Sequence, residues 1–294
     1  MNTFVKYILK IVLVLIVSAY ALDFVFSSIY THFQPYTKAQ FIHSLKNQKF
    51  DYIFIGSSRV ENSVIPEIIE QKTNKKVLNL GIKALKLKDM LFIIKLLKEY
   101  NVTYERIFVQ VDYSYNFQED YSKFYSSELL PYANSANKEM DTYLAATNSN
   151  YFFLKNIPFL KYSNSEQLIG FRKIFLSSLK SRNSFEKSKG YFPLYNVSTL
   201  EIQKMPTFII ESNKYQVEID NLAKKEKLNI QYFSTPVSLN TSNLNFFEKL
   251  KKNIPSLINL HNVIADEKYF SDNCHLNNDG AVAFTNILIE KLKL

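Results

Sequence analysis

Histidine is the side chain that most often moves protons near neutral pH, and this chain has four: His32, His43, His261 and His275. Only His275 has a carboxylate at helical spacing, because Asp272 precedes it by three residues. Side chains at positions i and i+3 share one face of a turn, so Asp272 can accept from Nδ1 while Nε2 faces a nucleophile. We therefore predict that His275 is a general base and Asp272 its orienter.

A hydroxyl for such a base stands in the sequence Gly56-Ser57-Ser58-Arg59. It directly follows the apolar run at residues 50–55, which is typical of a buried parallel strand. Serines at this position project at the carboxyl edge of a sheet, where open α/β folds bind ligands. Glycine and serine are also ordinary turn residues, so a purely structural turn is the alternative.

Strands and helices alternate in the pattern of the sequence, as in a βαβ fold with a parallel sheet. In the first half the patterns predict strands at 50–55, 76–80 and 106–111, with helices at 66–70 and 87–100. In the second half they predict strands at 228–233 and 262–265, with helices at 208–225, 244–260 and 281–292. Residues of about 117–200 show no clear period, which indicates a cap or insertion of helices and loops.

The order of these blocks resembles the SGNH (GDSL-like) hydrolases. That family carries a GDS-like block after the first strand, a glycine after the second, an Asn-containing block after the third and DxxH before the last helix. The matching residues here are Gly56-Ser57-Ser58, Asn79-Leu80-Gly81 and the stretch from Asp272 to His275. The resemblance implies a three-layer α/β/α sandwich of flavodoxin-like type around a central parallel sheet. It also implies a catalytic triad of Ser58, Asp272 and His275, with the backbone N–H groups of Ser58 and Gly81 in the oxyanion hole.

Two positions depart from the family pattern. Ser57 replaces the family's Asp, and no GxND follows the third strand. Asn116 could supply the missing oxyanion donor, whereas Asp112 lies nearer the expected place but cannot donate when ionised. Losing one such donor costs about 10²- to 10³-fold in rate. The sequence therefore favours acyl transfer over efficient hydrolysis, and a catalytically inactive SGNH-like scaffold that binds a glycan or a membrane acyltransferase remains the alternative.

The N-terminus predicts export from the cytoplasm. Lys6 and Lys10 precede the apolar stretch Ile11–Leu22, and positive charge before such a stretch keeps the N-terminus inside. Ala19-Tyr20-Ala21 resembles a signal-peptide cleavage site, whereas the span at 11–30 is about 30 Å long as a helix, enough for an uncleaved anchor. We favour the anchor, and both alternatives place the remaining domain outside the cytoplasm.

These patterns divide the chain into a membrane anchor or signal segment at 1–30, a linker at 31–49 with a short helix around 38–45, and an SGNH-like domain at 50–294. The GSSR block together with an anchor resembles envelope proteins of alginate O-acetylation and of teichoic acid D-alanylation. The resemblance implies an envelope glycan or acyl donor as partner. Those proteins commonly work beside a membrane-bound O-acyltransferase, so it also implies such an enzyme as a second partner.

Composition narrows the remaining functions. The net charge is +9, but the lysines are scattered and accompany no nucleic-acid motif, so we expect no nucleic-acid partner. The one cysteine, Cys274, excludes an intramolecular disulfide and a cysteine-based zinc cluster. A metal site needs at least three ligands that converge on one point, and the sequence does not establish that Asp272, His275 and Asp279 do so. We therefore expect neither a metal nor a cofactor.

Overall fold

The computed structural model describes residues 3–33, 35–133, 137–179, 184–195 and 204–294, so parts of the predicted insertion lie outside the described residues. The helices in chain order are α1 (Thr3–His32), α2 (Lys38–His43), α3 (Ser58–Glu61), α4 (Pro66–Thr73), α5 (Leu87–Glu99), α6 (Lys123–Leu129), α7 (Lys138–Thr147), α8 (Tyr151–Asn156), α9 (Leu160–Asn164), α10 (Glu166–Ile169), α11 (Phe171–Leu179), α12 (Ser184–Ser188), α13 (Lys214–Glu226), α14 (Phe246–Asn253) and α15 (Asn278–Leu292). The strands are β1 (Tyr52–Gly56), β2 (Val77–Gly81), β3 (Arg106–Gln110), β4 (Ile230–Phe233), β5 (Phe270–Asp272) and β6 (His275–Leu276).

The chain forms two compact units. Unit 1 contains Met1–Ser44 and Lys123–Arg182, and unit 2 contains Leu45–Ser122 and Asn183–Leu294. The predicted boundaries of anchor, linker and SGNH-like domain remain a prediction.

A four-stranded parallel sheet forms the centre of unit 2, which confirms the predicted α/β class with a parallel sheet. The strand order is β2-β1-β3-β4, and β1 pairs with β2 so that Gly56 lies opposite Gly81. Both strands are buried along their whole length, as is typical of the mainly apolar strands of a parallel sheet. Because the strands are parallel, the ends of β1, β2 and β3 meet at one edge of the sheet.

In the second half one predicted strand is absent, one predicted helix is shorter and one begins later. Residues 262–265 form no strand, although an isolated parallel bridge joins Phe233 and Ile258. The helix predicted over 244–260 ends at Asn253, two residues before Pro255, since the residue before a proline is disfavoured in a helix. The helix predicted from 208 begins only after Asn213, whose side chain accepts the N–H groups of Tyr215 and Gln216.

Unit 1 contains the predicted N-terminal apolar helix and a group of short helices. α1 is long and apolar enough to cross a membrane, and a signal sequence near the N-terminus can meet the same criteria of length and hydropathy. The side chains of Phe26 and Tyr30 are buried in the unit, while the earlier part of α1 is not covered by protein. The short helix predicted around 38–45 is α2, which begins with a capping box between Thr37 and Gln40.

Candidate active site

The two serines of the turn after β1 have different partners. Ser57 caps α3, because its Oγ accepts the N–H of Arg59 at 3.3 Å. Its own N–H and Oγ–H donate to Oε1 of Gln110 at 2.9 and 3.1 Å. Ser58 Oγ instead lies 2.7 Å from Nε2 of His275. The turn therefore uses one serine as a structural cap and presents the other to an imidazole.

His275 and Asp272 meet across a tight hairpin, which corrects the helical spacing assumed from the sequence. Asp272 ends β5 and His275 begins β6, and the two residues pair across this antiparallel ladder. The Asp272 carboxylate lies 2.8 and 2.9 Å from Nδ1 of His275. Its Oδ1 also accepts the backbone N–H groups of Cys274 and His275, each at 2.9 Å. The side-chain contact was predicted correctly, although a two-residue turn produces it.

The hydrogen bonds of this hairpin shift the pKa values of both Asp272 and His275. Burial disfavours the charged imidazole, but the bonds to Asp272 and Cys274 outweigh it and raise the pKa of His275 to about 9. Burial likewise disfavours the Asp272 carboxylate, and the bonds from His275 and the Cys274 backbone outweigh it, so its pKa lies well below the usual range. Each partner thus stabilises the charged form of the other.

Two residues of β2, Asn79 and Gly81, support the serine turn. Asn79 is fully buried, and its Nδ2 donates to the carbonyls of Val60 and Val64 at 2.8 and 2.7 Å. A Cβ at Gly81 would overlap the backbone of Glu61, so glycine is needed for the strand to approach α3 this closely. The N–H of Gly81, a predicted oxyanion donor, donates to Oδ1 of Asn79 at 2.8 Å. Asn79 and Gly81 therefore fix the helix that begins at Ser58.

The structure places Asn116, the predicted third oxyanion donor, with another segment. Its Nδ2 donates to the carbonyl of Phe208 at 2.9 Å, and its Oδ1 accepts the N–H of Ile210 at 3.2 Å. Both ends of this amide group hold the chain at 208–210. The predicted role of Asn116 in the oxyanion hole therefore loses support.

Asp112 occupies the position after β3 and forms a buried ion pair. Its Oδ2 lies 3.3 Å from Nη1 of Arg59, and both side chains are 4% exposed. Gln110 Nε2 donates to the same oxygen at 2.7 Å, and the N–H of Ser114 donates to Oδ1. Burial opposes ionisation of Asp112, but Arg59 and these donors outweigh it and hold the pKa of the carboxyl below its usual value. Asp112 is thus an acceptor only, as an ionised carboxylate must be.

The ion pair continues to the serine turn through Gln110. Asp112 fixes the amide of Gln110 by accepting from Nε2, so that Oε1 points to the N–H and hydroxyl of Ser57. Arg59 lies over the ring of Tyr113 at 4.9 Å and also interacts with Cys274. The result is a buried polar chain from Arg59 through Asp112 and Gln110 to the residue before Ser58.

Sequence reasoning did not assign roles to Gln110, Arg59 or the side chain of Asn79. Their positions could have indicated a role for two of them, since Asn79 interrupts the apolar run of β2 and Gln110 ends that of β3. A polar residue inside or at the end of a buried strand needs a hydrogen-bond partner. It can therefore mark contact with the site.

The described residues contain one group of side chains with the spacing of metal ligands: Asp272, Cys274 and His275 lie within 4.8 Å of one another. Cys274 Sγ is 3.5 Å from Nδ1 of His275. That nitrogen already bonds the Asp272 carboxylate, so a metal ion would have to replace this hydrogen bond. Asp279, the other predicted candidate, is exposed and lies outside the group.

Comparison with known proteins gives only a remote likeness. No family model matches the chain, and no curated protein matches it. Among solved structures 18 chains match. One is a Streptococcus pneumonia protein described as "a putative platelet activating factor", with 12% identity and a TM-score of 0.36 over 100% of this chain and 98% of that chain. A likeness this distant assigns neither a family nor an activity, and function has to be argued from the site.

Proposed function

We propose that the chain is a serine acyl-transfer enzyme, an acylesterase or O-acyltransferase, that modifies an envelope polysaccharide outside the cytoplasm. The observation that carries the proposal is the continuous path from Ser58 Oγ to His275 Nε2, at 2.7 Å, and from His275 Nδ1 to Asp272, at 2.8 Å. Nucleophile, base and orienter within hydrogen-bond reach are the geometric signature of an activated serine.

In the proposed reaction, His275 Nε2 accepts the proton of Ser58 as Oγ bonds the acyl carbon. The tetrahedral intermediate collapses, and His275 returns that proton to the departing oxygen of the donor, which leaves an ester on Ser58. Water or a glycan hydroxyl then attacks the ester and gives its proton to His275, and the proton passes to Ser58 Oγ as the serine leaves. Asp272 stays ionised throughout and stabilises the imidazolium.

The described residues offer few free oxyanion donors, which argues against fast turnover by either hydrolysis or transfer. Among the described residues, the N–H of Ser58 has no acceptor, as expected for the first residue of a helix. The N–H of Gly81 bonds Asn79, and Asp112 stands where the third donor was expected. A site with fewer free donors stabilises the intermediate less, by about 3 to 4 kcal/mol for each donor lost.

The location and partners belong to the same proposal. An α1 that is retained as an anchor would hold the protein at the membrane, with unit 2 as a three-layer SGNH-like domain outside the cytoplasm. The net charge of +9 suits an anionic envelope glycan. A membrane-bound O-acyltransferase is the proposed source or recipient of the acyl group.

A second candidate function is an inactive SGNH-like scaffold that binds a glycan or that acyltransferase. It is favoured by one observation: the position after β3 holds a buried, ion-paired Asp112 in place of a donor. A scaffold would keep the fold and lose the chemistry.

Labelling with a fluorophosphonate probe separates the two functions, because the probe phosphonylates only an activated serine. We expect the wild type to be labelled, Ser58→Ala to lose labelling completely, and Ser57→Ala to keep it. Ser57→Ala is the matched control, since it removes a neighbouring hydroxyl and costs only about 1 kcal/mol for the lost cap. A folded wild type that is not labelled would favour the scaffold.

A further inference from the structure

Unit 1 exposes a small apolar patch on α8 and the turn after it. The patch consists of Phe152, Phe153 and Ile157, and the exposed fractions of these side chains are 71%, 54% and 46%. Tyr151 and Leu154 on the other face of α8 are buried, so the helix has a fixed orientation. Two adjacent exposed phenylalanines are costly in water, and clustered exposed apolar side chains usually mark a contact with another apolar surface.

The patch is fixed to one level of α1. Phe159, two residues after Ile157, donates its N–H to Oδ1 of Asp23 at 3.0 Å, and its ring lies 5.0 Å from that of Phe26. Phe159 has φ 66°, a left-handed conformation that costs energy for a bulky residue and persists only where contacts enforce it. The chain after the patch is therefore tied to α1 at Asp23.

Asp23 is also where the surroundings of α1 change. The apolar side chains before it, such as Leu13 and Val17, are exposed, whereas Phe26 lies inside unit 1. The Asp23 carboxylate is paired at 3.2 Å with Lys161, whose side chain is 1% exposed. The described helix before Asp23 has 20 residues, about 30 Å at 1.5 Å per residue. Its stretch at 11–22 carries no charge, and the side chains of Lys6 and Lys10 before it can extend toward the cytoplasmic headgroups, so the helix can span the hydrocarbon core with Asp23 at the outer edge.

We propose that Phe152, Phe153 and Ile157 insert into the outer interfacial layer of the bilayer that α1 crosses. The inference rests on the membrane-anchor part of the proposed function. Asp23 lies at the membrane surface because the apolar residues before it fill the hydrocarbon core. The patch, tied to Asp23 by Phe159, lies at the same depth, where exposed aromatic rings are favoured. Unit 1 therefore contacts the membrane through this patch as well as through α1.

The absence of tryptophan from the chain gives a clean test with single-tryptophan variants of the full chain. Phe153→Trp reports on the patch and Leu15→Trp on insertion of α1. Phe171→Trp is the control: Phe171 in unit 1 is 69% exposed, and Lys173 of the same helix lies over Tyr36. Tyr36 follows the end of α1, which lies about 14 Å along the helix from Asp23. Each substitution replaces an exposed apolar side chain.

The variants are reconstituted in vesicles of phosphatidylcholine and phosphatidylglycerol, with bromine placed either near the headgroup or deep in the acyl chains. We expect headgroup-proximal bromine to remove about half of the Phe153→Trp emission, since interfacial side chains lie about 5–10 Å deep. Deep bromine should quench Leu15→Trp, and Phe171→Trp should be quenched by neither lipid. Equal quenching of Phe153→Trp and Phe171→Trp would contradict a specific insertion of the patch.

The other outcomes separate failure of the patch from failure of the anchor. Quenching of Leu15→Trp without quenching of Phe153→Trp would overturn the inference and keep the anchor. A blue-shifted but unquenched Phe153→Trp would also overturn it, because a protein, a second copy or a partner, would then cover the patch. If Leu15→Trp is not quenched, both the anchor and the inference fail, while serine labelling still tests the acyl-transfer chemistry separately.

Discussion

Two carboxylates of unit 2, Asp272 and Asp112, have opposite surroundings. The side chain of Asp272 is 42% exposed and pairs with a histidine, whereas that of Asp112 is 4% exposed and pairs with an arginine. The partner of Asp272 can lose its proton during a reaction. The partner of Asp112 stays charged at every accessible pH. The first pair can therefore take part in proton transfer, and the second can only hold structure.

The largest expected difference between the two carboxylates lies in their amide variants. We expect Asp272→Asn to slow fluorophosphonate labelling of Ser58 by about 10⁴-fold, because the amide no longer holds the imidazole in the reactive tautomer. Asp112→Asn should leave labelling within about tenfold but lower the free energy of unfolding by about 3 kcal/mol, since it leaves the buried Arg59 without its counter-charge. The two effects are measured by the labelling rate and by the free energy of unfolding in urea of both variants. The division of roles would be refuted by a 10⁴-fold loss in a folded Asp112→Asn protein.

A smaller effect on labelling is expected from Gln110, which connects the Arg59–Asp112 pair to Ser57. Gln110→Leu removes the acceptor for the N–H and hydroxyl of Ser57, so Ser58 should lose its fixed position. We expect labelling to fall by about 10²-fold, the usual cost of displacing a reactive group by about 1 Å. The matched control is Gln231→Leu, on β4 of the same sheet. If both variants label at the wild-type rate, Gln110 does not position the nucleophile.

The pH dependence of labelling tests the Asp272 pair itself. His275 must be neutral to accept the serine proton, and its pKa of about 9 leaves it mostly protonated at pH 7. Labelling should therefore rise roughly 50-fold between pH 7 and pH 9, following the neutral fraction of a group with this pKa. In Asp272→Asn the rise should move toward the ordinary histidine value of about 6.5. A flat wild-type profile above pH 7 would contradict the raised pKa.

The same shift predicts the sign of a stability change. Because the folded-state pKa of His275 is raised, its contribution to stability is complete below about pH 6.5 and is lost as the pH rises through about 9. Unfolding by urea across this range, compared with His275→Asn, isolates the contribution. An unchanged difference between the two proteins would contradict it.

Much of the site could be predicted from residue types and order. The parallel sheet followed from apolar runs that end at Gly56 and Gly81, because buried strands must be apolar on both faces. The choice of Asp272 and His275 followed from scarcity, since no other histidine has a carboxylate at that spacing. The prediction of a fifth strand at 262–265 was wrong because a short apolar run does not fix its own pairing partner.

The sequence by itself determined the α/β class, an apolar N-terminal helix and the residues able to form a serine, histidine and aspartate relay. The family resemblance implied Ser58 and not Ser57, but only the tertiary structure gives the physical reason: Gln110, 53 positions away, binds Ser57, and Ser58 faces His275. It also decided that Asp112 pairs with Arg59 and that Asn116 binds the chain at 208–210. Local patterns specify which groups a segment carries, whereas hydrogen bonds between distant segments fix which of those groups remain free for chemistry.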